Sequence, residues 1–219
     1  VPGMELPIPE GRIFEELRQL LGQRYYVDDV SPADGAAMGL ISTLVVARPD
    51  QVTAEELAGI KTYLATGGHV LILVDHQETN LQNLERREID SGIDDWLQSL
   101  GVVVGRELVW EDEGFSLQLP PQLVELPDGR RMSVPQSASY GLWPVIPDRV
   151  LRNAHPVVAA LSNLHFLWAH PLRLYQVPAQ FEATTMFTTT AAGRLLDADS
   201  DIAPHLENIE RLRAAAFKH

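Results

Sequence analysis

Asp75 and His76 stand side by side, with Glu78 and Asn80 close behind them. A carboxylate next to an imidazole can orient the ring for general acid and base work, or the two can hold a cation with Glu78 and Asn80. The plainer reading, favoured here, is an aspartate at a strand end whose carboxylate caps the following loop. His155, His165 and His170 offer three further imidazoles, the commonest metal-binding side chain in a chain without thiolates. Their spacing matches no zinc pattern, and His155-Pro156 and His170-Pro171 read as turns. Asp197, Asp199 and Asp201 alternate as in a calcium loop, but Ile202 falls where the turn needs glycine and Asn208 where it needs glutamate. A solvated helix lead-in accounts for them better. The sequence has no Gly-x-Ser-x-Gly, no dinucleotide or phosphate-loop glycine signature and no His-Glu-x-x-His. It also has no cysteine, which removes disulfides, thiolate metal sites and cysteine nucleophiles together.

These residues depend on their elements for position. Asp75 follows His69 to Val74, an apolar run with strand character that Gly67-Gly68 separates from a preceding helix. That helix opens on Thr53-Ala54-Glu55-Glu56, a capping box, and carries the stripe Leu57, Ile60, Tyr63 and Leu64. Before it lies a second β-branched run, Ile41 to Val46, ended by Pro49-Asp50. The unit reads strand, helix, strand, and ligands in open α/β sheets bind outside the carboxyl ends of such strands. An earlier helix is expected over Phe14 to Gly22, with strand-like Tyr25 to Val27 after it. A later helix, with Ser91 and Asp94 at its start and Trp96, Leu97 and Leu100 on one face, stops at Gly101. Val102 to Val104 or Leu108 to Trp110 then begins another strand, and alternation of this kind predicts a parallel sheet. From 111 to 152 prolines interrupt short apolar pieces, which predicts an insertion or hairpin-rich excursion. A short helix over Pro156 to Leu161, strands over His165 to Trp168 and Phe181 to Thr190, and a last helix through Leu206, Ile209 and Leu212 complete the expectation.

Composition narrows the classes further. Of 219 residues 45% are hydrophobic and 21% charged, an ordinary globular balance. The net charge of -13 repels phosphate backbones, so a nucleic-acid partner is not expected. Thirteen acidic residues between Asp75 and Asp128 face only Arg86, Arg87 and Arg106, which concentrates the charge in one stretch. A solvated acidic face is the default for it, and a docking surface for a basic partner the alternative. Phe115, Tyr140 and Trp143 are candidate partner anchors in the irregular region, although such rings more often pin an insertion to its own domain. No apolar run approaches the roughly 20 residues that span a bilayer. The opening Val1-Pro2-Gly3-Met4 reads as the start of an excised or processed piece, with any membrane anchor outside it.

Thr43 to Ala47 with the Arg48-Pro49 turn, the helix Leu57 to Leu64 and the Gly67-Gly68 strand ending in Asp75 share an order with a known family. Trp96 to Val102, His155 to Leu161 and the threonine-rich Thr184 to Thr190 add to the likeness. The sequence resembles the soluble extracytoplasmic domain of GldG-type auxiliary components of bacterial ABC transport systems, some of them linked to gliding motility. The resemblance implies a membrane-associated protein on the periplasmic side, working beside ABC permease and ATPase subunits. It also implies a fold similar to class I glutamine amidotransferases and the GIFT domain. Those amidotransferases use a cysteine nucleophile, so no catalytic residue carries over to this cysteine-free chain.

The expectation is therefore one α/β domain over 1–219. It should hold a mainly parallel sheet flanked by helices, flavodoxin-like or class I glutamine-amidotransferase-like, with 111–152 as an irregular insertion. The expected function is non-catalytic, binding or scaffolding within an ABC system, with an extracytoplasmic protein or a glycan as ligand and no cofactor. Its rival is a hydrolase or metal-dependent enzyme at the end of the 69–74 strand. A stand-alone sugar-binding module presenting Trp143 or Trp168 ranks third.

Overall fold

The computed structural model describes residues 14–80, 83–152 and 155–215. The chain divides into two compact units, Val1–Leu97 and Gln98–His219.

The first unit is built around a strand, helix, strand crossover. Helices α1 (Glu15–Gly22) and α2 (Gly35–Met38) precede strand β1 (Thr43–Ala47), helix α3 (Ala54–Ala65) and strand β2 (His69–Leu73). Strands β1 and β2 pair in parallel, from Thr43 opposite His69 to Ala47 opposite Leu73. Helix α3 forms where the sequence signals it. Thr53 Oγ1 accepts from the Glu56 N–H at 3.2 Å, and the Glu56 carboxylate accepts from the Thr53 N–H at 2.9 Å. The reciprocal pair satisfies two donors that a helix start leaves free. Buried Ile60 and Tyr63 form its inner face, while Gly67, at φ 92, takes the left-handed conformation that ends it. Gly59 lies so close to the Pro32 carbonyl that an added Cβ would come within 1.8 Å of the oxygen. A short antiparallel hairpin follows, β3 (Gln77–Thr79) on β4 (Arg86–Glu88), and then helix α4 (Asp94–Ser99) with buried Trp96 and Leu97.

The second unit is mostly antiparallel. Its short strands are β5 (Val102–Val104), β6 (Leu108–Trp110), β9 (Leu164–His165), β10 (Leu172–Leu174) and β11 (Arg194–Leu196). Its long ones are β7 (Gly114–Glu125) and β8 (Arg131–Ile146), joined as a hairpin and extended by β9. Helix α5 (Asp148–Leu151) and helix α6 (Leu206–Ala214) complete it. Ile146, Leu151 and Val158 form one buried cluster, with Phe166 and Phe187 packed against it. Gly141 sits on the Trp110 ring, where a Cβ would lie 2.4 Å from the indole. Glu111 is fully buried and accepts from both the N–H and the hydroxyl of Thr190, at 2.9 and 2.8 Å.

The expected parallel, flavodoxin-like or amidotransferase-like sheet is not what forms. Among the described residues only β1 and β2 pair in parallel; β5 pairs antiparallel with β10, and β6 antiparallel with β11. A β-branched run reveals a strand but not its partner, and both partners here come from far along the chain. Nor are β1 and β2 covered on both faces, since Val45, Leu71 and Leu73 are exposed. The 111–152 stretch holds the longest strands, paired with each other as one hairpin. Prolines are tolerated there because the register shifts between Leu119 and Gln122, where Pro120 and Pro121 stand, and because edge positions need no donor. No strand forms over Tyr25 to Val27 or Phe181 to Thr190, and Pro156 to Leu161 makes hydrogen-bonded turns in place of a helix. Among the described residues no helix is long and apolar enough to cross a membrane.

Candidate functional site

The carboxyl ends of β1 and β2 open onto a shallow depression lined by Phe14, Arg48, Leu73, Val74 and Asp75. Two non-glycine residues of the turn after β1 adopt left-handed backbone, Arg48 at φ 44 and Gln51 at φ 56. Such conformations are costly and persist where neighbours hold them. Here Arg48 N–H donates to the Leu73 carbonyl at 2.7 Å, and Gln51 N–H to the Asp90 carbonyl at 2.7 Å. The turn thereby presents the Arg48 side chain over the end of the sheet.

Arg48 is the near end of a charge chain. Its Nη2 donates to Glu78 Oε1 at 2.7 Å, and the other Glu78 oxygen accepts from Arg87 Nε at 3.0 Å and Nη2 at 2.8 Å. Arg87 also donates to Asp50 at 3.0 Å. The hairpin register creates the middle link by placing Glu78 directly opposite Arg87. Hydrogen bonds from Arg87, which outweigh the opposing cost of burial, hold the Glu78 carboxyl below its ordinary value, and the Arg48 charge adds to the effect.

The four expected residues thus take different places. Asp75 lines the depression, and its Oδ1 accepts from the Gln77 N–H at 3.1 Å, the loop-capping bond of a strand-end aspartate. Glu78 joins it through Arg48. His76 is buried, with its Nδ1 3.7 Å from Asp94 Oδ2, and Asp94 in turn accepts from Ser91 Oγ at 2.9 Å. Ser91 is also fully buried, and its Oγ accepts from the Ile93 N–H at the start of α4. Asn80 lies exposed after β3, where its backbone bonds to Glu85 and Leu84. The sequence does not single out Arg48, Arg87 and Asp50 as site residues. Arg48 is legible as a cation at a strand end, but its tie to Glu78 and Arg87 exists only in the folded hairpin.

The later histidines do not converge. His155 Nδ1 accepts from the Val157 N–H at 3.2 Å, His170 Nδ1 lies 2.9 Å from the Glu107 carbonyl, and His165 meets the Phe115 ring edge-on at 5.7 Å. No group of three His, Asp or Glu side chains among the described residues is placed to hold a metal ion. Of the candidate anchors, Tyr140 is fully buried, while Phe115 keeps an exposed ring against Trp143. The acidic stretch is partly neutralised, with Glu107 bound to Arg173, Glu113 to Arg149 and Asp128 to Arg130.

Residues 5–217 match the sequence model of a family described as an ABC-type uncharacterized transport system. No curated protein and no solved structure matches the chain.

Proposed function

The chain belongs to this ABC-type transport-system family, as an auxiliary component, and on that premise we propose that it is a non-catalytic binding or scaffolding domain on the extracytoplasmic side. GldG-type proteins are included in the family, and the succession of strand, proline turn, helix, glycine pair and strand favours that branch. The partners proposed are the permease and ATPase of the same system, with an extracytoplasmic protein or a glycan as a further ligand.

The observation that carries the binding reading is Arg48, held by a left-handed turn over the depression it shares with Asp75. Its Nη2 is committed to Glu78, while its Nε forms no bond among the described residues. A guanidinium with a donor to spare beside a carboxylate suits a ligand that carries both an acceptor and a donor. A hydrolytic reading finds less support. The Ser91 hydroxyl, which donates to Asp94 beside His76, is fully buried and so out of reach of a substrate.

The test is recovery of the transporter's membrane subunits with the full-length protein from native membranes, comparing the wild type with Arg48→Ala and Asp75→Ala. Reduced recovery with a folded variant supports the proposal. Turnover of an ester, amide or glycoside that disappears in Asp75→Ala or His76→Ala overturns it.

A further inference from the structure

Phe181 to Thr190 is extended chain with no strand beside it. Five of its ten residues are threonine and two are phenylalanine, types that suit a pleated, half-buried backbone. It runs between turns at 179–180 and 191–192 with no helix, turn or bend, and none of its residues has a positive φ. Phe187, stacked on Phe166, and Thr190, whose N–H and hydroxyl both donate to buried Glu111, hold it against the rest of the second unit. Its other residues are exposed, and the backbone of 182–189 forms no hydrogen bond among the described residues.

What the segment offers defines what fits it. An extended chain presents its N–H and C=O groups alternately to either side, and another extended backbone matches such a row group for group. Proteins defend edges that must stay unpaired with proline, lysine or a bulge. Pro120 and Pro121 do so on β7, whereas 181–190 contains no proline, glycine or lysine. Its two side-chain anchors fix the segment in advance, so a strand that joins it has only itself to order. Charge narrows the partner further. Glu182 is the only charged residue from 176 to 193, in a chain carrying -13, so a basic strand is attracted and a second copy repelled.

We propose that the backbone edge of 182–189 is a docking site for strand addition by an extended, lysine- or arginine-bearing segment of another protein. This inference is independent of the site at the ends of β1 and β2.

Hydrogen exchange of the full chain tests it with three short peptides: alternating lysine and valine, alternating glutamate and valine, and the lysine peptide N-methylated at every amide. With the lysine peptide in excess, every second amide from 182 to 189 should exchange about tenfold or more slowly, as ladder amides do. The other two peptides should leave those rates unchanged. Thr184→Pro and Thr185→Pro remove neighbouring donors that face opposite sides, and circular dichroism checks that each variant folds. One of them should weaken the lysine peptide about fivefold or more, the usual worth of one net hydrogen bond, and the other less. Amides of 182–189 already protected in the free protein, no effect of the lysine peptide, equal binding of either control peptide, or an affinity unchanged in both variants overturns the proposal. So does protection of these amides on raising the protein concentration alone, which would make a second copy the occupant.

Discussion

The hydroxyl of Tyr140, fully buried in β8, donates its hydrogen to the carbonyl of Ile202, and the same oxygen accepts from Trp168 Nε1 at 3.3 Å. One side chain thereby ties the central strand of the three-stranded sheet to the lead-in of α6 and to the segment after β9.

Tyr140→Phe removes that oxygen and little else. Two buried groups lose a partner, and the expected cost is about 1–3 kcal/mol, the usual penalty for leaving buried polar groups unsatisfied. Urea denaturation at neutral pH measures it, and a loss below 0.5 kcal/mol, roughly the floor for a net hydrogen bond, would mean that water or neighbours replace the bonds.

Gly59→Ala should destabilise the first unit, although alanine is the better helix former by about 1 kcal/mol. The new Cβ would meet the Pro32 carbonyl oxygen at 1.8 Å, so loop or helix must move, and overpacking of this kind costs about 1–3 kcal/mol. A raised melting temperature would show that the loop yields freely.

Glu78 links pH to stability. Its folded pKa lies below the ordinary 4.5, so its contribution is fully present above that value and is lost as pH falls through the depressed one. Glu78→Gln should therefore flatten the acid limb of the stability curve while lowering stability at pH 7. Because the chain of ion pairs is partly exposed, added salt should shrink the difference between variant and wild type. Denaturation midpoints from pH 7 down to pH 3, at low and high salt, check both statements.

Thr53→Ala should cost about 1 kcal/mol, the usual loss for an N-cap residue. The Glu56 carboxyl is held below its ordinary value chiefly by the Thr53 N–H and hydroxyl, so the variant should raise it. Carbon-detected titration of Glu56 in both proteins reads the shift directly.

That capping box is legible in the amino-acid sequence because both halves lie within four consecutive residues. The same holds for the Gly67 stop, for β1 and β2, and for the Ser91 start of α4, all local features. Asp75 can likewise be placed at a strand end, and its capping bond reaches only two residues on to Gln77. Pairing is what local patterns do not encode. Val102 to Val104 looks like one more parallel strand, yet its partner is Leu172 to Leu174, and nothing in a valine triplet specifies that direction. The prolines of β7 and β8 disguise the longest strands, since a proline at an edge or bulge is invisible in the composition of its neighbours. Phe181 to Thr190 has strand-like residues, but Thr190 is claimed by the Glu111 carboxylate and Phe187 stacks on Phe166 at 5.8 Å. For the candidate site, Arg48 and Arg87 become partners of Glu78 only through the folded hairpin.

The placement of the four tryptophans has an optical consequence. Trp96 lies in the first unit, whereas Trp110, Trp143 and Trp168 lie in the second. Trp143 stands edge-on to Trp168 at 5.5 Å and to Tyr140 at 5.7 Å, with interplanar angles of 79°. The strong far-ultraviolet transitions of rings this close and this crossed couple, so they should generate a circular dichroism couplet there that a lone indole does not give. Replacing Trp96 with phenylalanine would leave that couplet intact and remove the first unit's indole signal, while Trp143→Phe would abolish the couplet and leave Trp96 as an emitter. The chain thus carries a separate native chromophore for each half of its folding reaction.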